Sequence, residues 1–292
     1  MSPPIVAMLL MTLSAALTAL QNAAIRLAAD AGVHPFEITW VRGVVGFVMV
    51  AGWILWREGA LPRPKAIGKL VAAGLANAAG MMSFFYGIAL IPLNESTALS
   101  FAVPLFATIG AALFLGETVR MRRWVAVMIG FLGVLIVLRP GLVPLGLGTG
   151  LVLFSAVVFA AVTLLFRALS GSDRPTTIVF YQSLFLSVAT FFPAAPVLTE
   201  PTPFALAMMV AVALFGTLGM IAYTRAFSMA EAPAILPIEF ARLPFIAIIA
   251  YLLFGERPDE FVWLGAAVIF ASTLYIAHRE SAAARRDAEG AP

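Results

Sequence analysis

The sequence predicts an all-α integral membrane protein with ten transmembrane helices, arranged as two inverted five-helix repeats. Three observations lead to this prediction: the composition, an internal repeat, and the distribution of basic residues. Hydrophobic residues make up 62% of the 292-residue chain and charged residues only 11%, whereas soluble domains contain about 45–50% and about 25%. Such a chain cannot cover an apolar core with polar surface in water, so the expected solvent is lipid.

The spans follow from the length of the apolar runs. A stretch of about 20 apolar residues crosses the hydrocarbon core of a bilayer as a helix. Divided at charges, Pro and Gly, the chain gives ten predicted spans: 5–28, 35–56, 66–91, 96–115, 124–138, 148–168, 176–197, 204–227, 234–254 and 261–277. The polar, Ala-rich segment 280–292 is predicted to be a disordered cytoplasmic tail.

One short phrase occurs twice, each time after an apolar run: Gly-Glu, six residues, then Trp. The copies are Gly116-Glu117 with Trp124 and Gly255-Glu256 with Trp263, a constant offset of 139 residues. A match at a fixed period indicates an internal repeat. We therefore predict two five-helix domains, 1–141 and 142–279.

The basic residues predict the orientation, because Lys and Arg are retained on the cytoplasmic side. With a cytoplasmic N-terminus, 13 of the 18 Lys and Arg residues fall in the inside turns, the adjoining span ends or the tail, three fall on the outside, and two lie deep within spans. Both termini are therefore expected in the cytoplasm. Five spans per repeat is an odd number, so the second repeat enters the membrane inverted. Inverted repeats place a binding site near the midplane between the two halves.

The two Gly-Glu-x6-Trp phrases, with Pro104 ahead of the first and Pro244 ahead of the second, carry a family resemblance. The chain resembles a ten-helix member of the drug/metabolite transporter superfamily, built from two EamA-type repeats. The resemblance implies export or exchange of small polar metabolites across a bacterial inner membrane. Within the superfamily, it favours the branch of aromatic amino-acid exporters.

The predicted function is thus a secondary transporter that exports or exchanges amino acids by alternating access. The alternatives are a drug permease, a permease for another metabolite such as a nucleoside or vitamin, and a lipid-linked flippase. An enzyme is not expected, since the chain has two His and no Cys, and no cofactor or metal is predicted. The expected partners are a small-molecule substrate and membrane lipid, without nucleic acid, because the basic residues sit in short turns. Direction, coupling ion and oligomeric state stay open.

Polar residues in the first span follow one helical face: Ser14, Thr18, Gln21, Asn22 and Arg26. Lipid offers no hydrogen-bond partners for amide groups, so Gln21 and Asn22 must face protein or a water-filled cavity. Asn22 is a candidate substrate-binding residue, with hydrogen bonding between helices as the alternative. Arg26 is expected to extend outward to the membrane interface.

Most of the other uncharged candidates are aromatic residues at matching positions of the two repeats. Tyr86 corresponds to Tyr223, and Trp40 corresponds to Phe180, so both repeats supply aromatic groups to the predicted crevice. Asn77 is added because its amide needs a partner within an otherwise apolar span. These residues are compatible with two roles. They could contact the substrate, or they could only hydrogen-bond and pack between helices.

Arg42, Glu239 and Arg242 are charges that lie in the interior of predicted spans, away from the span ends. Each costs about 2.5–3.5 kcal/mol or more to insert. Glu239 and Arg242 are three residues apart on one helix and are compatible with a self-satisfied pair. The functional alternative is that an Arg receives a substrate carboxylate, or that Glu239 exchanges a proton. Glu117 and Glu256 are instead expected to accept hydrogen bonds from free N–H groups where the next helix begins, with a role in gating or proton transfer as the alternative.

Overall fold

The computed structural model describes residues 3–114, 121–139, 146–169, 173–229, 238–239, 241–257 and 259–289. These residues are helical throughout, with short connections, which confirms the all-α prediction for this part of the chain. The elements are α1 Pro3–Asp30, α2 Pro35–Glu58, α3 Ile67–Leu90, α4 Leu93–Ser100, α5 Val103–Phe114, α6 Met121–Leu138, α7 Leu147–Leu169, α8 Pro175–Ala194, a 3-10 turn Ala195–Val197, α9 Pro203–Met229, α10 Arg242–Phe254 and α11 Glu260–Glu289.

Seven helical segments in the described part of the chain are long and apolar enough to cross a membrane. One of these seven, Leu93–Leu113, combines α4 and α5. Three shorter apolar helices accompany them: Trp124–Leu138, Arg242–Phe254 and Glu260–Ser272. The molecule is therefore a multi-pass helical membrane protein, and the count of ten crossings stays a prediction.

The chain folds as two compact units, and each takes helices from both predicted repeats. Unit 1 comprises Met1–Ala19, Leu93–Leu145 and Leu218–Pro292; unit 2 comprises Leu20–Pro92 and Gly146–Thr217. The compact units therefore do not follow the predicted sequence boundary at 141. A helix buries its apolar stripe against whichever neighbour fits, and in this protein that neighbour often belongs to the other repeat.

Unit 2 is held by close helix pairs, α3 against α7 and α2 against α8. A Cβ atom at Gly87 would lie 2.5 Å from Val152 Cγ2 and 3.0 Å from the Gly148 carbonyl oxygen. A Cβ atom at Gly43 would lie 3.1 Å from Ser187 Cα. Small residues allow this approach, as is usual for helices that pack in membranes.

In unit 1, α6 packs against α11. A Cβ atom at Gly133 would lie 2.8 Å from the Gly265 carbonyl oxygen and 2.9 Å from the Ile269 backbone nitrogen. The Ser272 hydroxyl of α11 also donates a hydrogen bond to the Ala126 carbonyl of α6. The two backbones are thus in direct contact along this pair.

The predicted fourth span, 96–115, is not one helix. It is divided into α4 and α5 at Phe101 and Ala102, whose N–H groups bond three residues back, to Ala98 and Leu99. Pro104 explains the break, because it has no N–H to donate to the Ser100 carbonyl and its ring opposes a continuous helix there. In the second repeat, α10 begins at Arg242, and Pro244 stands in its first turn, where a missing N–H is tolerated.

The predicted disordered tail also needs correction. The structure continues α11 through residues 280–289 as helix. Composition suggested disorder, but Ala282, Ala283 and Ala284 have the highest helix propensity of any residue and extend a helix that is already formed.

The second Gly-Glu phrase ends one helix and begins another. Gly255 adopts φ 66° after α10, and the Glu256 N–H bonds back to the Ala250 carbonyl, as in a Schellman ending. The Glu256 carboxylate accepts a hydrogen bond of 2.9 Å from the Leu93 N–H, the first residue of α4. Glu256 thus accepts a hydrogen bond from a free N–H group at a helix start, as expected, but that helix is α4 and the expectation of the helix that follows Glu256 was wrong. Gly116 and Glu117 lie outside the described residues.

Replacing Glu256 by Ala is expected to lower the free energy of unfolding by roughly 0.5–2 kcal/mol, because α4 loses its cap. Thermal unfolding of the detergent-solubilised protein measures this, with Glu200→Ala, an exposed acid in a connection, as the control. Equal stability of the two variants would show that the hydrogen bond to Leu93 contributes nothing.

Candidate functional site

Two of the amide side chains buried in unit 2, those of Asn22 and Asn77, have little hydrogen bonding of their own. Asn22 is 2% exposed, and its Nδ2 has no partner. Asn77 is 8% exposed, and its Nδ2 reaches only Met81 Sδ, at 3.6 Å. Thioether sulfur is a weak acceptor. Buried amides without partners are costly unless something else binds them, which keeps both residues in the candidate set.

Arg42 is the charged member of this group. It makes no hydrogen bond or ion pair with any residue that the structure describes, and its Nε is buried without a partner. The side chain passes close to Gly216 of α9. A Cβ atom there would lie 2.6 Å from Gln21 Nε2 and 3.1 Å from Arg42 Nε. The bare glycine therefore leaves room for a cation and an amide to approach the same point.

Gly216→Ala is expected to displace Gln21 and Arg42 and to reduce transport, even though Ala favours a helix by about 1 kcal/mol. Gly219→Ala is the matched control, since a Cβ there meets its nearest atom, Leu17 Cβ, at an ordinary 3.5 Å. The test compares the transport rates of both variants in vesicles, normalised to membrane protein. Equal rates would remove Gly216 from the site.

Two further charges of unit 2 have structural partners. Arg26 donates to the Ile88 and Ile91 carbonyls at 3.1 and 2.9 Å and lies 3.3 Å from Asp30. It thus caps the end of α3 rather than extending outward as the sequence suggested, because the last carbonyls of a helix lack partners. Glu37 accepts hydrogen bonds from the backbone and hydroxyl of Thr199. Neither residue belongs to the candidate site.

The aromatic candidates of unit 2 are mainly packed against other rings. Tyr86 lies edge-on to His34 and Phe36, with ring centroids 5.4 and 5.6 Å away. Trp40 lies 5.7 Å from Phe191. Phe180 is 4% exposed and contacts Phe47 and Tyr181. These contacts account for the rings by packing alone, and a substrate role for Trp40, Tyr86 and Phe180 stays a prediction.

Unit 1 holds the second cation, Arg242, at the first residue of α10. Its Nη2 donates a 2.9 Å hydrogen bond to Ser100 Oγ, and its guanidinium carbon lies 4.5 Å from the Phe101 ring centroid. Its Nε is buried without a partner. The break between α4 and α5 thus supplies both groups that hold this guanidinium.

Glu239 and Tyr223 lie near the same cation. Both interact electrostatically with Arg242, and Tyr223 packs on a small apolar cluster that includes Met11 and Ala226. Within the part of the chain that the structure describes, no ion pair of 4.0 Å or less joins Glu239 to Arg242. The self-satisfied pair that the sequence allowed is therefore not formed as a direct contact.

Sequence reasoning missed three residues of this group: Asn94, Thr97 and Ser100, which recur every third residue on α4. Asn94 and Thr97 are 4% and 0% exposed, and Asn94 Nδ2 and Thr97 Oγ1 have no partner. Their regular spacing was visible in the sequence. It was overlooked because the predicted span began at residue 96 and ran through the break.

The nine predicted site residues divide between the units. Unit 1 contains Tyr223, Glu239 and Arg242, and unit 2 contains Asn22, Trp40, Arg42, Asn77, Tyr86 and Phe180. Within unit 1, Glu239 and Arg242 lie near enough to Tyr223 to interact with it electrostatically. A meeting of Arg42 with Glu239 and Arg242 stays a prediction.

The fold and these side chains define a multi-pass helical membrane protein that keeps amides and cations inside apolar helices, a feature of solute pathways. The chain belongs to the EamA-like transporter family, which matches it twice, over residues 5–139 and 146–277.

Named bacterial relatives are transporters as well. An S-adenosylmethionine uptake transporter of Rickettsia bellii is 28% identical, covering 86% of each chain. A riboflavin transporter of Vibrio cholerae is 33% identical over 68% of this chain and 66% of its own. A pseudopaline exporter of Pseudomonas aeruginosa is 28% identical over 84% and 87%. One solved crystal structure, 18% identical with a TM-score of 0.62, covers 94% of this chain and 98% of that chain, and it supports the fold alone.

Proposed function

We propose that this protein is a secondary transporter of the bacterial inner membrane for a small polar metabolite that carries a flat heteroaromatic ring. S-adenosylmethionine and riboflavin, named for two of its relatives, both contain such a ring system together with hydrogen-bonding groups. The relatives therefore support the metabolite or vitamin permease over the exporter of aromatic amino acids that the sequence favoured.

Arg42 is the observation that carries this proposal. A cation inside a membrane helix costs about 2.5–3.5 kcal/mol or more, and a structural role would repay that cost through a hydrogen bond or an ion pair. Arg42 has neither among the described residues. A passing solute that offers acceptor atoms supplies the missing partner.

The buried amides act in the same way. A polar solute gives up its hydration when it enters the membrane, and Asn22 and Asn77 replace the lost hydrogen bonds. A solute without matching groups leaves these amides unpaired, which produces selectivity. In the two predicted inverted repeats, alternation between the two sides of the membrane needs only rearrangement of one repeat against the other. The distribution of basic residues favours cytoplasmic positions for both termini.

Exchange in proteoliposomes tests this function. Vesicles with purified protein are loaded with unlabelled compound and tested for uptake of labelled S-adenosylmethionine, riboflavin, adenosine or phenylalanine, with protein-free vesicles as the control. We expect exchange of at least one compound that carries a heteroaromatic ring. Exchange of phenylalanine alone would favour the predicted exporter of aromatic amino acids over the proposed substrate class. No exchange of any compound would contradict the proposed function.

A further inference from the structure

The polar face of α4 and the first residue of α10 form a built site within unit 1. Asn94, Thr97 and Ser100 stand one helical turn apart, and α10 packs against α4. The Ser100 hydroxyl accepts from Arg242 Nη2 at 2.9 Å and donates to the Thr97 carbonyl at 2.7 Å. Both hydrogen-bonding directions of Ser100 are therefore used, which fixes the guanidinium in place.

Much of this polar capacity is unused by the protein. Asn94 Nδ2, Thr97 Oγ1 and Arg242 Nε are buried and have no partner. The hydrogen bonds of Arg242 to described residues use one of its donors, Nη2. Buried polar atoms are nearly always paired in folded proteins. Three such atoms on two packed helices indicate that a ligand supplies the partners.

The charges of the site specify the ligand. Glu239 precedes Arg242 by three residues and interacts with it electrostatically, yet no ion pair of 4.0 Å or less joins the two among the described residues. Opposite charges held apart in this way suit a molecule that is itself a zwitterion. The fork of an arginine matches the two oxygens of a carboxylate, and a glutamate attracts an ammonium group.

We infer that Arg242, Glu239 and the polar face of α4 bind an α-amino carboxylate, so that the transported metabolite carries a free amino-acid head group. This inference rests on the proposed function and narrows its substrate class. It selects zwitterionic compounds such as S-adenosylmethionine and excludes riboflavin, which has neither a carboxylate nor an ammonium group. Arg242 receives the carboxylate, Glu239 receives the ammonium, and Thr97 and Asn94 supply further hydrogen bonds.

The test compares three probes on the purified full-length protein in proteoliposomes: S-adenosylmethionine, its decarboxylated form, and riboflavin. Binding is followed in detergent by the rise in unfolding temperature that each probe produces. We expect wild-type protein to bind and exchange S-adenosylmethionine at least about tenfold better than the decarboxylated form, since one charge-assisted contact is lost. Arg242→Lys should remove this preference, because an ammonium group is a point charge and lacks the planar pair of N–H donors with which a guanidinium binds both carboxylate oxygens.

Further variants separate binding from folding. Thr97→Val keeps the shape and removes a hydroxyl that has no protein partner, so it should weaken binding without lowering the unfolding temperature of the free protein. Ser100→Ala should weaken binding, whereas Ser96→Ala is the matched control, because the Ser96 hydroxyl donates only within α4, to Leu93. Arg57→Lys, at the exposed end of α2, controls for a change of cation.

Equal handling of S-adenosylmethionine and its decarboxylated form by wild-type protein would overturn the inference. So would exchange of riboflavin alone, or an Arg242→Lys protein that keeps the preference. Each of these results leaves the proposed transport function standing. Failure of the wild-type protein to exchange any probe would instead count against both.

Discussion

Gly133→Ala is expected to destabilise the protein strongly. The new Cβ would lie 2.8 Å from the Gly265 carbonyl oxygen and 2.9 Å from the Ile269 backbone nitrogen. Backbone atoms cannot turn aside as a side chain can, so α6 and α11 must separate. Overpacking of this kind costs roughly 1–3 kcal/mol or more. The measurement is the unfolding temperature in detergent, together with the yield of monodisperse protein.

Gly52→Ala is the matched control for this substitution. Gly52 is also within a helix, and nothing lies within 4 Å of the position that its Cβ would take. The same change there should be neutral or should stabilise the protein by about 1 kcal/mol through helix propensity. If Gly133→Ala behaves like Gly52→Ala, then α6 and α11 do not approach as closely as the structure indicates.

Arg42→Leu is expected to raise stability and to reduce transport strongly, two effects of opposite sign. Leucine removes a cation that has no partner among the described residues. The protein then no longer bears the cost of inserting that cation into the membrane, about 2.5–3.5 kcal/mol on insertion scales. The transported solute loses a charge-assisted hydrogen bond, worth about 1.5–3 kcal/mol, which corresponds to roughly a tenfold or greater loss of transport. Unfolding temperature and exchange rate are measured on the same preparation.

Arg42→Lys completes this comparison. It keeps the charge but not the planar fork, so transport should fall while stability stays near that of wild-type protein. An Arg42→Leu protein that is less stable than wild-type protein would show that Arg42 has a structural partner. Normal transport by both variants would remove Arg42 from the solute pathway.

Much of the fold was predictable because membrane helices follow local rules. Apolar length located the helices, and the Gly-Glu phrase marked the end of α10, where Gly255 adopts a left-handed conformation. The break at Phe101 and Ala102 was not predicted, because the length of an apolar run contains no information about a missing backbone hydrogen bond. Pro104 is the sequence signal for this break, because proline cannot continue the hydrogen bonding of a helix.

The candidate site was predictable only in part, because partners that come from distant segments cannot be deduced from one sequence. The sequence identified Arg42 and Arg242 as costly charges. It did not show that Arg242 is held by Ser100 and Phe101 while Arg42 has no such support. Arg26 was assigned to the membrane interface for the same reason, since the free carbonyls of Ile88 and Ile91 belong to another helix.

Asn77 is the residue at which a solute path lined by buried polar groups of the membrane helices can be tested most directly. The chain contains no cysteine, so Asn77→Cys introduces a single thiol. A small hydrophilic thiol reagent should modify this thiol in transport-competent vesicles, and an exchanged compound at saturating concentration should slow the modification several-fold. Ala78→Cys, one residue further along α3 and 3% exposed, should remain unmodified. Modification of Asn77→Cys at the same rate with and without the exchanged compound, or no modification at all, would show that Asn77 does not line the path of the solute.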